Sequence, residues 1–547
     1  MNIVVIGGVA AGASFAARAR RLDESVRITI IERGPDVSFA NCGLPYHIGG
    51  EIAARGSLAV QTPVSLKALL DLDVRTQCEA LRIDRAGKRV EVRDLKSGQS
   101  EWLAYDKLML SPGAAPLVPP LPGVNDARIF TLRNLVDMDR IAGAAKSGKR
   151  AVVVGAGFIG LEMAEQLHRK GLSVQLVEML PQILPQVDIK MTGLLECELR
   201  KNGIGLHLGE QVTRFEGDDL AVRCHLASGG ALEADLVIMS IGVRPETSLA
   251  KEAGLQLGER GHIVVSDFMQ TSDPDIYAAG DAIETADRIL GGQTVVPLGG
   301  PANRQGRVAA DHIFLAARAR PYPGSIGTAI VRAFEAAAGV TGWTEQRLKK
   351  AGIRYGTVTV NDYQHASYFP GATPLTLKIL WEEETGRLLG AQATGHEGVD
   401  KRIDVLSTAI SAKMDVEDLC HLELSYAPPF GSAKDIVNLA GFAATNLRDG
   451  LVSSVYSLPQ DAVVQQVDVR AKALAEAYPI PGTINIPVPR LRTNLNLLDR
   501  SRPVVTLCSF GKMSYFAARI LAQNGFDVAS LSGGIKANID PGMPTRI

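Results

Sequence analysis

Ala151-Val152-Val153-Val154-Gly155-Ala156-Gly157-Phe158-Ile159-Gly160-Leu161-Glu162 decides the fold. Four small or β-branched apolar residues read as a buried parallel strand. They run straight into Gly-x-Gly-x-x-Gly and a helical pattern that continues to about residue 170. A strand over 173–177 follows and ends on Glu178. The first glycine suits a tight turn and the second lets backbone approach a pyrophosphate. The third lets the helix pack close to the strand, and the helix N-terminus then faces the phosphate charge. Glu178 stands where a ribose diol is bound and where a 2′-phosphate would be repelled. Met179-Leu180-Pro181 supplies no arginine for such a phosphate, so the expected nucleotide is NADH rather than NADPH.

A second copy lies upstream. Asn2-Ile3-Val4-Val5-Ile6 is a buried strand, Gly7-Gly8-Val9-Ala10-Ala11-Gly12 the turn, 13–22 a helix and 27–31 a strand ending on Glu32. Glu32 lies about 20 residues beyond Gly12, where a ribose-binding acid is expected, although Val9 replaces the middle glycine. Two further pieces belong to this unit. Leu110-Ser111-Pro112-Gly113-Ala114 is a strand end and crossover between the two units. Residues 273–282 form an apolar strand ending on Gly280-Asp281. The Asp281 carboxylate either accepts from a ribityl hydroxyl, with the next helix N-terminus on the phosphates, or is simply a helix N-cap.

Between them stands Ser38-Phe39-Ala40-Asn41-Cys42-Gly43-Leu44-Pro45-Tyr46. Thiol chemistry needs an accessible sulfur whose thiolate is favoured, for example by a helix N-terminus or a cation. The alternative is a buried cysteine packing as a small apolar residue. The two nucleotide turns on either side favour redox work.

At 547 residues the chain holds several domains, since single cores stop growing at roughly 250–300 residues. Composition is ordinary globular, with 46% hydrophobic and 21% charged residues. A formal charge of -1 offers no basic field, which argues against nucleic acid or anionic membrane as partner. No apolar run reaches the roughly 18 residues of a bilayer span, and a strand beginning at residue 2 leaves no room for a leader. Cysteines at 42, 78, 197, 224, 420 and 508 have neither disulfide-framework nor metal-ligand spacing. No metal is expected, and the cytoplasm fits. Cys78, Cys197, Cys224 and Cys420 read as core or incidental thiols.

From 323 the pattern changes to strands over 356–360 and 375–381, then a helix near 399–413. Residues 446–458 read as a linker. A short α/β unit follows, with strands over 466–470 and 502–507. The latter ends on Cys508, and Cys508-Ser509-Phe510-Gly511-Lys512-Met513-Ser514 opens a helix over 515–524. Successive N–H groups curling around a sulfur at a helix N-terminus stabilise a thiolate or persulfide anion.

On these motifs the chain from 1 to about 445 resembles the two-dinucleotide-binding flavoprotein disulfide reductases. Within them it is most similar to the coenzyme A-disulfide reductases and related persulfide reductases, on Ser38–Tyr46 and on Leu424-Ser425-Tyr426-Ala427-Pro428-Pro429-Phe430. Residues 459–538 resemble a rhodanese module, on the Asp468-Val469-Arg470 strand, the Gly482–Pro487 turn, the Cys508–Ser514 loop and Ser532-Gly533-Gly534. The resemblance implies an α/β chain with two Rossmann-like dinucleotide-binding domains, an α+β dimerisation domain and a C-terminal rhodanese-like α/β domain. The boundaries are 1–112 and 245–322 for FAD binding, 113–244 for NADH binding, 323–445 for dimerisation, 446–458 for the linker and 459–547 for the rhodanese-like domain.

The resemblance also implies site residues. FAD would lie on Gly7, Val9, Ala10, Ala11, Gly12, Glu32, Arg33, Ser111, Gly113, Gly280, Asp281, Pro297 and Ala302. NADH would lie on Gly155, Gly157, Phe158, Ile159, Gly160, Glu178 and Gly242. Coenzyme A would be held by Ser14, Arg18, Arg21, Ser38, Asn41, Asn303 and Lys434; arginine suits its phosphates through paired charge-assisted bonds. A solvated helix face is the other reading of Arg18 and Arg21. A lysine that relatives carry near Leu72 is missing, Asn303 stands where some have histidine, and Met513 where many have arginine. Tyr368 and Tyr426 match two tyrosines that enter the partner subunit's active site in a homodimer; buried aromatic packing is their alternative. No His-Glu pair of the glutathione-reductase type is present, as expected where no second cysteine needs a base.

The implied chemistry passes hydride from NADH to FAD and on to a disulfide between Cys42 and coenzyme A. The freed Cys42 thiolate then attacks a persulfide or polysulfide, and Cys508 relays sulfane sulfur. Reduction of coenzyme A disulfide, NADH oxidation by oxygen, and a sulfur relay merely scaffolded by the flavoprotein part are the rival readings. An inactive rhodanese-like fold is the alternative for Cys508.

Overall fold

The computed structural model describes residues 1–542; the end of the expected rhodanese-like domain, 543–547, lies outside the described residues. The chain forms two compact units. The first joins Met1–Met179 to Gly209–Ser325, and the second joins Leu180–Leu208 to Ile326–Ile547.

In the first unit, Asn2–Ile6 sits central in a parallel sheet, with Arg27–Glu32 and then Asp73–Thr76 on one side and Lys107–Leu110 and then Ile276–Ala278 on the other. Val5 pairs with Ile30 and with Met109, and all three side chains are completely buried. That double-sided burial is why the strand is apolar at consecutive positions rather than at alternate ones. The helix Ala10–Leu22 begins three residues before the sequence pattern suggests, because Ala10–Gly12 already form its first turn. It packs on the helix Gly299–Leu315, where a Cβ on Gly306 would stand 2.2 Å from the Ala11 carbonyl oxygen. Only glycine allows that approach. A second parallel sheet runs Ser173–Glu178, Arg150–Val154, Leu236–Met239, Ile129–Phe130, with the helix Phe158–Arg169 following the Gly155–Gly160 turn.

The second unit holds an antiparallel sheet in the order Ala329–Ala333, Ala336–Gly342, Leu388–Gly395, Pro374–Glu382, Tyr355–Tyr363. Helices Val399–Ser411 and Ile436–Arg448 belong to the same unit. A parallel sheet in the order Ser453–Val455, Val528–Leu531, Val504–Leu507, Gln465–Asp468, Thr483–Asn485 completes it. The expected linker 446–458 is therefore partly structured. Residues 446–448 finish a helix, and Ser453–Val455 is an edge strand of the C-terminal sheet, because its backbone pairs with Ala529–Leu531. Among the described residues no helix is long and apolar enough to cross a membrane.

Candidate active site

The two glycine turns are built alike. Gly7 and Gly155 adopt φ of +90° and +100°, and their N–H groups donate to the carbonyls of Ile31 and Val177. A Cβ on Gly12 would stand 1.9 Å from the Gly7 oxygen, and one on Gly160 1.9 Å from the Gly155 oxygen. Neither position admits alanine without opening the turn. The Glu32 carboxylate accepts from the N–H of Gly8 at 2.9 Å, and Glu178 accepts from that of Ala156 at 2.7 Å. The acid at each strand end thus ties the following strand to its turn. Ser111 is named from the sequence for the first turn, but its counterpart at the second, Ser240, is not. Ser111 Oγ donates to the carbonyls of Ile6 and Gly7, and Ser240 Oγ donates to those of Val154 and Gly155. Its signal was legible: Leu110-Ser111-Pro112-Gly113 and Met239-Ser240-Ile241-Gly242 share a strand end followed by Ser-x-Gly.

Both helices that follow lack a side-chain cap and an acid in the first turn, so their first N–H groups are left for an anion. A side chain on Gly157 would enter open space, and Phe158 and Ile159 begin the helix beside it. Around the first turn, Val9, Ala10 and Ala11 continue the backbone, and Ala302 is buried near the start of Gly299–Leu315, with Pro297 exposed just before it. Gly280, at φ +84°, donates its N–H to Gln305 and lies against Ala11 and Ala302. Gly113 and Gly242 both hold positive φ. Arg33 is bound by Glu246, which also receives Arg133 at 2.7 Å.

Asp281 is not a helix N-cap. A turn and the hairpin Thr285–Ala286/Gln293–Thr294 follow it, and the next helix starts only at Gly299. Burial raises the Asp281 carboxyl above its ordinary value, against the attraction of Arg133, and among the described residues no group donates a hydrogen bond to it. A half-buried carboxyl with open acceptor oxygens fits a hydroxyl-bearing ligand, and two uncapped glycine turns fit pyrophosphates. The residues present suit two dinucleotides.

Cys42 lies in the single turn Asn41–Gly43, which leads into the short helix Leu44–Gly49, and it is exposed. Its surroundings do not favour the thiolate in the way the sequence reading anticipates. Although the residue is exposed, desolvation by the protein around its sulfur pushes the Cys42 thiol up, and the carboxylates of Glu162 and Asp281 push the same way. Glu162 accepts from the Tyr46 hydroxyl at 3.1 Å, which fixes it beside the Cys42 helix.

Of the anticipated coenzyme A residues, Ser14 donates to Asn303 at 2.6 Å, and Arg18 pairs with Asp311 at 2.6 Å. Arg18 is therefore neither free nor simply solvated, whereas Arg21 is exposed. Ser38 holds φ +49° with its N–H on the Gly8 carbonyl, joining the cysteine loop to the first turn, and Asn41 is exposed.

In the second unit the Tyr368 and Tyr426 hydroxyls are 3.1 Å apart, with the residues 74% and 49% exposed. Buried packing is thus not their role in this chain. The loops carrying them are joined by the Ala366 N–H on the Gly431 carbonyl, and Arg402 braces both, donating to the Gln364 carbonyl and to Asp435. Lys434 is exposed next to that aspartate.

Cys508 directly follows the strand Val504–Leu507 and is 4% exposed. Its Sγ accepts from the Gly511 N–H at 3.2 Å and the Ser514 N–H at 3.3 Å, with the Ser514 hydroxyl at 3.6 Å. The helix Lys512–Gln523 begins three residues before the pattern suggests, which is what brings its first N–H groups under the sulfur. Among the other thiols, Cys78 and Cys224 are buried and Cys420 is half-buried, but Cys197 is exposed on Gly193–Lys201 rather than in a core. The described residues contain no cluster able to hold a metal.

Residues 1–316 match the pyridine nucleotide-disulphide oxidoreductase family. The chain belongs to this family. Its membership implies FAD and NAD(H), which the two glycine turns accommodate. Residues 328–435 match the family's dimerisation domain and 451–539 the rhodanese-like domain. The coenzyme A disulfide reductase of Staphylococcus haemolyticus is 35% identical over 451 residues, covering 82% of this chain and 100% of that protein. The reduced Bacillus anthracis CoADR-RHD structure is 43% identical at a TM-score of 0.95, covering 98% of this chain and 97% of that one. An NAD-dependent persulfide reductase from A. fulgidus is 38% identical at a TM-score of 0.94, covering 98% and 100%. This member of the family is therefore a flavoprotein oxidoreductase with a rhodanese-like domain on the same chain.

Proposed function

We propose that this chain reduces the sulfane sulfur of persulfides, coenzyme A persulfide above all, with NADH as donor. The observation that carries the reading is the Cys508 cradle, two backbone N–H groups aimed at one sulfur on the same polypeptide as a thiol reductase. A persulfide is an anion at neutral pH, and donors fixed on its sulfur are what a sulfur carrier needs. The A. fulgidus relative, alike over nearly the whole chain, is named for persulfide reduction.

Cys42 does the exchange. Its thiolate attacks the sulfur of the persulfide bonded to coenzyme A, forming a Cys42–coenzyme A disulfide and expelling hydrosulfide. Two electrons then return the pair to two thiolates. FAD, when bound, supplies the relay of those electrons from NADH. Glu32, Ser111, Gly280 and Asp281 orient FAD, and Glu178 and the Gly155–Gly160 turn orient NADH. Ser14, Arg18, Arg21, Ser38, Asn41 and Asn303 hold coenzyme A, so that the small thiol takes the place of a second cysteine. Tyr368 and Tyr426, contributed by the partner of a cytoplasmic homodimer, donate to the departing sulfur. Cys508 loads sulfane sulfur as its own persulfide and hands it to the coenzyme A thiol.

The test is anaerobic sulfide release from a sulfane donor such as polysulfide, with catalytic coenzyme A. Cys42→Ser abolishes it, and Cys508→Ser slows it while leaving reduction of added coenzyme A persulfide intact. A Cys42→Ser protein with full activity contradicts the reading. Reduction of coenzyme A disulfide is the second reading, favoured by the name of the staphylococcal relative.

A further inference from the structure

The Cys508 loop is not held by its own domain alone. Tyr355–Tyr363 is the outermost strand of the antiparallel sheet, and an open strand edge needs cover. The C-terminal domain supplies it. The Tyr456 hydroxyl donates to the Thr357 carbonyl, and the Thr359 N–H donates to Ser532 Oγ at 3.0 Å. Two residues further along, Asn361, 5% exposed, turns its side chain into the loop. Its Nδ2 donates to the carbonyl of Phe510 at 3.1 Å and to that of Gly533 at 2.7 Å, while its Oδ1 accepts from the Thr376 hydroxyl at 2.6 Å. A flipped amide would set its oxygen against two carbonyls, so the assignment is fixed by the network.

Phe510 C=O and Gly511 N–H are the two ends of one planar peptide and point in opposite directions. Holding the carbonyl outward aims the N–H inward, and that N–H stands 3.2 Å from Cys508 Sγ. The neighbouring carbonyls, of Cys508 and Ser509, are held within the C-terminal domain by the N–H groups of Ile535 and Lys536. The Phe510–Gly511 peptide is the one that depends on the antiparallel sheet. Gly511, at φ +93°, is a residue type that rotates readily, so the peptide needs this latch.

We propose that Asn361, in the dimerisation domain, is a positioning residue for Cys508. It keeps the Gly511 N–H on the sulfur and so sets the anionic character of a thiol in a different domain. The proposal rests on Cys508 being the sulfur carrier, but its test does not require turnover.

The experiment is the pH profile of iodoacetamide labelling at Cys508, read by peptide mass on the full flavin-loaded protein. Asn361→Leu removes both donors without adding charge. The expected result is a labelling midpoint displaced upward, with about tenfold less thiolate at pH 7, the size of one lost hydrogen bond to an ion. NADH turnover with coenzyme A disulfide stays within about twofold of wild type, since Asn361 has no part in that chemistry. Thr376→Val leaves both donors but frees the amide, and displaces the midpoint the same way by less; it carries the test if Asn361→Leu does not fold. Wild-type midpoints in the folded variants overturn the proposal. A wild-type protein that takes up no sulfur at Cys508 from thiosulfate ends the sulfur-carrier reading instead, and the labelling midpoint still decides the role of Asn361.

Discussion

The hydroxyl of Tyr368 lies 3.1 Å from that of Tyr426, on two loops that Arg402 ties together. Two exposed phenols sharing one hydrogen bond work as a unit. The bond to Tyr426 pushes the Tyr368 phenol above its ordinary value. Tyr368→Phe and Tyr426→Phe are each expected to slow thiol release by about 10²-fold, and the double variant to cost little more than the worse single. Single-turnover kinetics on the coenzyme A disulfide would show it; additive losses would mean that the two phenols act separately.

Glu162 and Asp281 both raise the Cys42 thiol, after burial itself. Neutralising Glu162 removes a negative charge that opposes the thiolate. Glu162→Gln is therefore expected to speed labelling of Cys42 at pH 7 by a few fold, the direction following from the sign of the charge. Labelling that slows would show that the Tyr46–Glu162 contact places the sulfur rather than tuning it.

The two glycine turns can be broken one at a time. Gly12→Ala drives a methyl group into the Gly7 carbonyl and is expected to yield protein depleted of flavin. Gly160→Ala does the same at Gly155 and is expected to keep the flavin while raising the KM for NADH at least tenfold. Flavin absorbance per chain and NADH saturation curves separate the two. Loss of flavin in both variants would contradict the assignment of one nucleotide to each turn.

The glycine turns were legible because chemistry fixes their residue types: a Cβ at position 7, 12, 155 or 160 would meet a backbone oxygen at 2.5 Å or less, so glycine is required at each. Cys42 and Cys508 were legible through the loops around them. Helix starts were misjudged by three residues at Ala10 and Lys512, since a turn that closes on a ligand or a sulfur has no apolar residue to announce it. Asp281 carries the composition of a cap and caps nothing, because no helix follows within reach. Asn361 could not be read at all. It is one polar residue in a strand, and its meaning comes from a loop 149 positions away.

A buried charge cluster in the second unit sets an acid limit. Lys378, 5% exposed at its side chain, pairs with Asp188 at 2.8 Å and with Glu345. Burial alone would raise Glu345, but the Lys378 charge and hydrogen bond outweigh it and carry the group from its ordinary 4.5 down to about 2. A depressed carboxyl stabilises the fold above its unfolded value, and that contribution is lost as pH falls from about 4.5 toward 2. Glu345→Gln is expected to lower Tm at pH 7, the gap to wild type closing as the pH approaches 2. A gap that stays constant with pH would remove the ion pair from the account.

The most direct measurement is anaerobic NADH consumption with coenzyme A persulfide and with coenzyme A disulfide, side by side, with sulfide assayed in the first. The account predicts a kcat/KM at least tenfold higher for the persulfide, with one sulfide released per NADH. A preference for the disulfide, or NADH consumption that requires oxygen, would contradict it.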